Sequence, residues 1–543
     1  MFRKLILPVA LFMALFSIAE VSNAEKHSST TSSTSKNPVS APKRELRGVW
    51  IATVANIDWP SRAGLPIAEQ KAELINILDN HQRAGINAIY LQIRPSADAF
   101  YGKSEEPWSR FLNGKQGQSP NPYYDPLEFA IEESHKRGME LHPWFNPYRA
   151  TFDLVQANVS PDHITRKKPE WFFTYGGKKW FNPGIPEVRE YIIQVILNVV
   201  RHYDIDGVHF DDYFYPYPDG NKPIPDSETF RKYGAGFSTV ADWRRNNVNL
   251  LVQELSDSIR ATKHYIRFGI SPFGIWDNVG NHPRGSESNG FSGYRQLYAD
   301  AIRWTSEGWV DYVTPQLYFP FNFRAAPYEK LVDWWNQHTY GRHLYIGHAS
   351  YRAANNSEGW KNRSQIPDQI RYLRDQSQSN GSVFYSSKSI VGNLAGIRDS
   401  LQYDLYKYKA LPPQMLWLDS IPPHSPTGLT AISIQDGSAI KLDWHAPEMA
   451  ADGELAYGYV IYRFNVGEQI DLQDPRYILH ISYQGDQRTY TDSRIRKEGR
   501  YVYGVTALDR LKNESEPSDF LAVAVGEVYS PDHLARILSE PNL

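Results

Sequence analysis

Eight short apolar runs, each ending in polar or aromatic residues and parted by helical patterns, leave this chain few ways to fold. They are Leu46–Ala52, Ala88–Ile93, Glu140–Phe145, Gly207–Phe210, Arg267–Ser271, Tyr312–Pro315, Leu344–Gly347 and Ser382–Tyr385. Between them lie helical patterns at Ala68–Ala84, Pro126–Arg137, Val188–Tyr203, Ala241–Lys263, Tyr294–Ser306, Tyr328–Thr339 and Ile366–Gln378. Eight strands alternating with helices over about 370 residues predict a (β/α)8 TIM barrel with long decorated loops. The rival is an open doubly wound sheet, but no Gly-rich phosphate loop follows the first run.

The run Asp206-Gly-Val-His-Phe-Asp-Asp-Tyr-Phe-Tyr-Pro216 carries the chemistry. In a strand, side chains alternate faces. Val208 and Phe210 then face covering helices, while Gly207, His209 and Asp211 face the lumen. Asp211 falls at the C-terminal mouth, where barrel enzymes keep their catalytic groups. The bland alternative is an Asp211-Asp212 pair that merely caps the next loop. The aromatic belt after the pair favours a sugar site instead.

Composition supports that direction. The chain has 15 Trp, 35 Tyr and 24 Phe, more rings than a core requires, and flat rings suit sugar faces as well as cores. A net charge of −3 gives no basic excess to attract nucleic acid or anionic lipid. Arg3 and Lys4 precede an apolar run over Leu5–Ile18, and Ser22-Asn-Ala24 fits a cleavage site. Residues 1–24 therefore read as a signal peptide, and no later segment is long enough for a membrane span. Residues 25–44 read as a Ser/Thr-rich linker. A secreted or periplasmic protein is expected, without disulfides, since there is no cysteine.

The barrel is expected over 45–418. After Pro422, Pro423 and Pro426 the texture changes to short alternating strands. Trp444, the Tyr501-Val-Tyr-Gly-Val-Thr-Ala507 strand and the Glu516-Pro-Ser518 turn resemble a fibronectin type III domain over 421–527. A spacer or docking surface is its expected role. Residues 528–543 form a tail with no assignment.

Several barrel stretches resemble the bacterial family 10 glycosylhydrolase-like proteins. They are Arg47-Gly-Val-Trp50, Gln92-Ile-Arg-Pro95, Asp98-Ala-Phe-Tyr101 and Glu106-Pro-Trp-Ser109, then His142-Pro-Trp-Phe-Asn-Pro-Tyr-Arg149 and Trp180-Phe-Asn-Pro-Gly184. The Asp-Asp run, Ser271-Pro-Phe-Gly-Ile-Trp276 and Asp311-Tyr-Val-Thr-Pro-Gln-Leu-Tyr318 complete the set. The resemblance implies an envelope glycoside hydrolase with peptidoglycan-type glycan as substrate class, needing no cofactor. A more distant likeness to family 18 chitinases places His209, Asp211 and Tyr213 at that family's three inward positions. Tyr213 stands where the terminal acid should be, so the substrate-assisted mechanism is not carried over.

Glycoside cleavage needs an acid for the leaving oxygen and a carboxylate as nucleophile or base. Asp211 is the expected nucleophile or base. Candidate partners are Asp212, then Asp98 and Asp277, with Glu105 and Glu106 behind them on a long loop. Asp98 could equally pair with Arg94, and Asp277 could be merely solvated. Arg94, Asn146, Arg149, His209, Gln316 and Tyr318 are expected to bind substrate, the arginines through a sugar carboxylate or else an internal ion pair. Trp50, Trp59, Trp144, Tyr213, Tyr215, Trp276 and Phe319 are the expected stacking rings, some of them core. His142, His209, His348 and Asp211 could make a metal amidase or deacetylase site, but no close ligand pair or His-Glu-x-x-His helix accompanies them. A non-catalytic glycan-binding scaffold is the third reading.

Overall fold

The structure is a computed structural model that describes residues 41–357, 359–375, 378–434, 437–525 and 527–528. The expected signal peptide, most of the linker and nearly all of the tail lie outside the described residues.

Eight parallel strands close into a barrel: β1 (Leu46–Ile51), β2 (Ala88–Arg94), β3 (Glu140–Phe145), β4 (Gly207–Phe210), β5 (Arg267–Ile270), β6 (Tyr312–Val313), β7 (His343–His348) and β8 (Ser379–Phe384). Each pairs with its sequence neighbour, and β1 with β8 closes the ring. The covering helices include α1 (Ile67–Arg83), α2 (Pro126–His135), α3 (Pro186–His202), α4 (Val240–Thr262), α5 (Ala301–Ser306), α6 (Tyr328–Asn336) and α7 (Gln365–Asp375). Helix α2 begins where Pro126 supplies a fixed φ and the Asp125 carboxylate accepts from the Leu127 and Glu128 amides. On α3, Val188, Ile192, Val195, Ile196, Val199 and Val200 recur at helical spacing and are buried.

The period of two splits every strand between two cores. Val49, Ile51, Ile89, Leu91, Leu141, Phe145, Val208, Phe210, Phe268 and Ile270 join the helices in the outer core. Leu46, Trp50, Tyr90, Trp144, Tyr312, Tyr345 and Val383 form a separate cluster in the lumen. Large rings fit there only because glycines face them. A Cβ on Gly207 would lie 2.3 Å from the His142 ring, and one on Gly269 would lie 2.1 Å from the Tyr312 ring.

One local expectation is corrected, and one element is added. The helix expected over Tyr294–Ser306 is broken into Gly293–Gln296 and Ala301–Ser306, because Tyr298 between them takes a left-handed backbone (φ 57°). A two-stranded hairpin, Phe172–Tyr175 with Lys178–Phe181, was not expected. Gly176 and Gly177 turn it with φ of 54° and 71°, values that glycine adopts without strain.

The C-terminal part is all-β, as the sequence predicts. Its strands are β9 (Thr427–Ile434), β10 (Ala439–His445), β11 (Gly458–Asn465), β12 (Ile478–Ser482), β13 (Thr489–Asp492), β14 (Arg500–Leu508), β15 (Leu521–Ala524) and β16 (Glu527–Val528). One antiparallel sheet runs β9-β10-β13 and the other β12-β11-β14-β15-β16. Trp444 packs on Tyr459 between them. This sandwich sits on the end of the barrel where the strands begin. Leu411 enters the sandwich core, Met415 and Trp417 pack against the lumen cluster, and Lys43 pairs with Glu514 at 2.6 Å.

Gly269→Ala should push Tyr312 off its position in the lumen. Overpacking of this kind costs about 1–3 kcal/mol. Calorimetry should show a lower melting midpoint, and an unchanged midpoint would mean that the lumen yields to the added methyl.

Candidate active site

Strand β4 delivers Asp211 and Asp212 to the mouth, where they are 5 % and 2 % exposed. Three N–H groups converge on Asp211. Trp144 Nε1 donates to Oδ2 at 3.0 Å, Asn146 Nδ2 donates to the same oxygen, and the Tyr213 amide donates to Oδ1 at 3.3 Å. Asn146 is itself oriented by Gln92 (2.5 Å) and by Arg149 Nη2 (2.8 Å), both donating to its Oδ1. Arg149 spreads its guanidinium 5.4 Å from the centre of the Tyr213 ring and donates from Nε to the Pro95 carbonyl. The glycine-turned hairpin fixes that arginine, since Arg149 bridges to Trp180 and the Ala150 amide donates to the Lys179 carbonyl. Asp212 accepts from the Tyr217 hydroxyl and has Gln316 beside it.

Among the described residues, neither carboxylate has a cation in direct contact. Burial, with the charge of Asp212 added, pushes Asp211 up to about 7, against the pull of Arg149. Burial likewise pushes Asp212 up to about 6. The charge of Asp212 acts on Asp211, so between the two values the carboxyls hold about one proton, the larger share of it on Asp211. One protonated and one ionised carboxyl is what glycoside cleavage requires.

Half-buried rings surround the pair. Tyr213 lies 5.5 Å from Tyr217, which stacks on Phe291 at 5.1 Å, and Phe291 meets Phe273 at 5.0 Å. On the other side Tyr318 stacks on Tyr385 at 6.2 Å, and Tyr351 touches both. Of these, Tyr217, Tyr351, Tyr385, Phe273 and Phe291 were not singled out from sequence. Tyr217 could have been, because it ends the belt that follows the acid pair.

The remaining expected residues lie elsewhere or are already engaged. Arg94 is 1 % exposed and paired with Glu106 through two 2.6 Å contacts, while its Nη1 donates to the Asn146 and Pro147 carbonyls. It braces the mouth and has no face for a sugar. Asp98 sits in a small cleft lined by Ser96, Arg110, Gln116 and Phe152, hydrogen-bonded to Gln116 and the Ser96 amide and pushed by burial to about 6. Asp277 is fully buried against Arg295 (2.8 Å) and the Asn278 amide. Among the described residues, no hydrogen bond joins Asp98 or Asp277 to the Asp211–Asp212 pair. Trp276 is no sugar platform, because Trp334, Tyr294 and His282 cover it. Trp59 and Tyr215 are core. His209 is a lumen residue beneath the mouth, held by Trp50 and Tyr312. His348 is hydrogen-bonded to Gln369 and Ser382.

The family model described as glycosyl hydrolase-like 10 matches residues 45–362, more than half of the chain. The chain belongs to this family. It is similar to glycosyl hydrolase YngK of Bacillus subtilis (strain 168), 45 % identical over 481 residues that cover 88 % of this chain and 92 % of the relative. Glycosyl hydrolase DigH of Escherichia coli (strain K12) is 38 % identical over 350 residues, covering 60 % and 79 %. Among solved structures, the PgaB (BpsB) glycoside hydrolase domain from Bordetella bronchiseptica covers 67 % of this chain and 99 % of its own, with 11 % identity and a TM-score of 0.43. The glycosyl hydrolase-like 10 assignment rests on the family match and on the first two relatives.

A raised carboxyl pKa fixes how stability depends on pH. Unfolded Asp211 ionises near 3.8, and the folded group near 7. Between those values the folded state holds the extra proton, so stability falls as pH rises through the window. Asp211→Asn keeps an acceptor for Trp144 but cannot titrate. Its urea-unfolding free energy should therefore fall less steeply from pH 4.5 to 7, by about 1.4 kcal/mol per pH unit. Equal slopes in the two proteins would mean that Asp211 is ionised throughout.

Proposed function

We propose that this chain is an exported glycoside hydrolase that cleaves the glycan strands of peptidoglycan. The observation that carries the reading is the pair of buried carboxyls, Asp211 at about 7 and Asp212 at about 6, inside a rim of half-buried rings. The carboxyl of the pair that is left ionised is the nucleophile or base, and both are built to receive that charge, Asp211 from three N–H donors and Asp212 from the Tyr217 hydroxyl. The carboxyl that holds the proton of the pair protonates the leaving oxygen, and the higher value of Asp211 gives it the larger share of that proton. Tyr213 and Tyr318 offer faces to sugar rings, and Asn146, Gln316 and Arg149 offer polar contacts. Arg149 is also placed to receive a sugar carboxylate, for which its planar fork is suited. The wall glycan as substrate is supported by the family resemblance and by the leader-like residues 1–24, which favour export.

The test is incubation of the protein with peptide-free glycan strands, intact sacculi and an α-glucan, with products read by mass spectrometry. New reducing ends should appear from the peptide-free strands and persist with a chelator. Asp211→Asn should lower kcat/KM by about 10²–10⁴-fold. The wild-type profile should be bell-shaped, with limbs near the two carboxyl values of about 6 and about 7. Chelator-sensitive release of acetate or peptide would replace this reading with a metal-dependent one. Binding without any product would replace it with a scaffold.

A further inference from the structure

At the closed end of the barrel, the C-terminal sandwich inserts one lysine into the lumen. Lys512 is fully buried, with Nζ 3.4 Å from Glu140 Oε1 and 3.4 Å from Asp206 Oδ1. Its ammonium lies 4.2 Å from the centre of the Tyr483 ring and 4.7 Å from that of Tyr457, and it donates to the Arg510 carbonyl at 2.8 Å. Glu140 also pairs with Arg267 at 2.7 Å, and Asp206 with His135 at 2.8 Å. Burial alone would raise Glu140, but Arg267 and Lys512 hold it down at about 2. It is therefore an anion deep in the protein.

From that anion a single file of hydrogen bonds runs up the lumen. Glu140 Oε2 lies 3.2 Å from His142 Nε2, and His142 Nδ1 lies 3.1 Å from the Tyr312 hydroxyl. That hydroxyl lies 3.1 Å from His209 Nδ1, and His209 Nε2 lies 3.0 Å from Trp50 Nε1. The two ends fix the direction of the bonds between them, because an indole N–H can only donate and the ionised Glu140 can only accept. His209 Nε2 must accept, so the proton of this neutral ring is on Nδ1 and goes to the Tyr312 oxygen. Tyr312 then donates to His142 Nδ1, which leaves the His142 proton on Nε2, pointing at the Glu140 carboxylate. The upper end reaches the mouth, since His209 precedes Asp211 by two residues on the same face and Trp50 meets Tyr385 at 6.3 Å.

We infer that Lys512 is a positioning residue of the hydrolase: the sandwich supplies the counter-charge that keeps Glu140 ionised and so locks the histidine tautomers and the Trp50 floor beneath Asp211. Lys512 touches no substrate and acts only through this file.

Side-chain nitrogen NMR and kinetics on the full chain test the inference. Wild type should show His209 protonated on Nδ1 and His142 on Nε2. In Lys512→Met both rings should change their nitrogen shifts, although Lys512 touches neither, and kcat should fall about tenfold while KM moves less than about twofold. Tyr312→Phe cuts the file without touching the sandwich and should give the same loss. The double variant should then be no worse than either single one. Unchanged His209 shifts in Lys512→Met, or additive losses in the double variant, overturn the inference. If Lys512→Met does not fold, Tyr312→Phe decides alone, and normal His209 shifts with normal kcat overturn it. The kinetic arm rests on the glycosidase reading. If wild type turns over no glycan, that reading fails, and the nitrogen shifts still decide this one.

Discussion

A carboxylate with two cations at the blind end of the barrel sets the terms for everything above it. An isolated charge at that depth would be driven neutral. Arg267 alone gives Glu140 a partner, but Asp206 lies within reach of the same Lys512 and would otherwise add a second negative charge. The lysine comes from a separate all-β unit, so the barrel's interior electrostatics are completed only when that unit is docked. Removing one partner from such a cluster costs more than the intact cluster contributes, because the residual charge stays buried.

The two ends of the lumen are managed in opposite ways. At the blind end each acid touches a base, and the acids are held ionised. At the mouth the acids meet N–H and O–H donors and each other, with Arg149 near but not in contact, and burial lifts both into the range where protons move at neutral pH. Between the ends lies a layer of rings, Tyr90, His142, His209 and Tyr312, packed close enough that glycines on β4 and β5 must face them.

Much of this was legible in the sequence, and the reasons differ by feature. All eight barrel strands were readable because each is a short apolar run bounded by polar residues, and the period of two in Gly207–Asp211 placed His209 and Asp211 on the inner face. The glycine-turned hairpin carries a Gly-Gly signal between aromatic runs, but it belongs to no barrel repeat, so the alternation of strands and helices does not point to it. Site membership was less legible, because sequence places a residue at a strand end without showing what it meets there. Arg94, Asp277 and Trp276 stand at strand ends in the mouth's neighbourhood, and each is saturated by a partner far away in sequence or on another loop: Glu106, Arg295 and Trp334. Lys512 gave no signal at all, since a lone lysine in a turn is ordinarily solvated. The three-dimensional meeting of one sandwich sheet with the barrel rim buries it.

The sandwich covers the pole where the strands begin, and the acid pair opens at the pole where they end. Whatever is joined to the sandwich is thereby kept behind the face that bears the acid pair. Under the proposed function, a long glycan can lie across the mouth without meeting the accessory unit, so the sandwich sets no limit on how far a strand extends to either side of the acid pair.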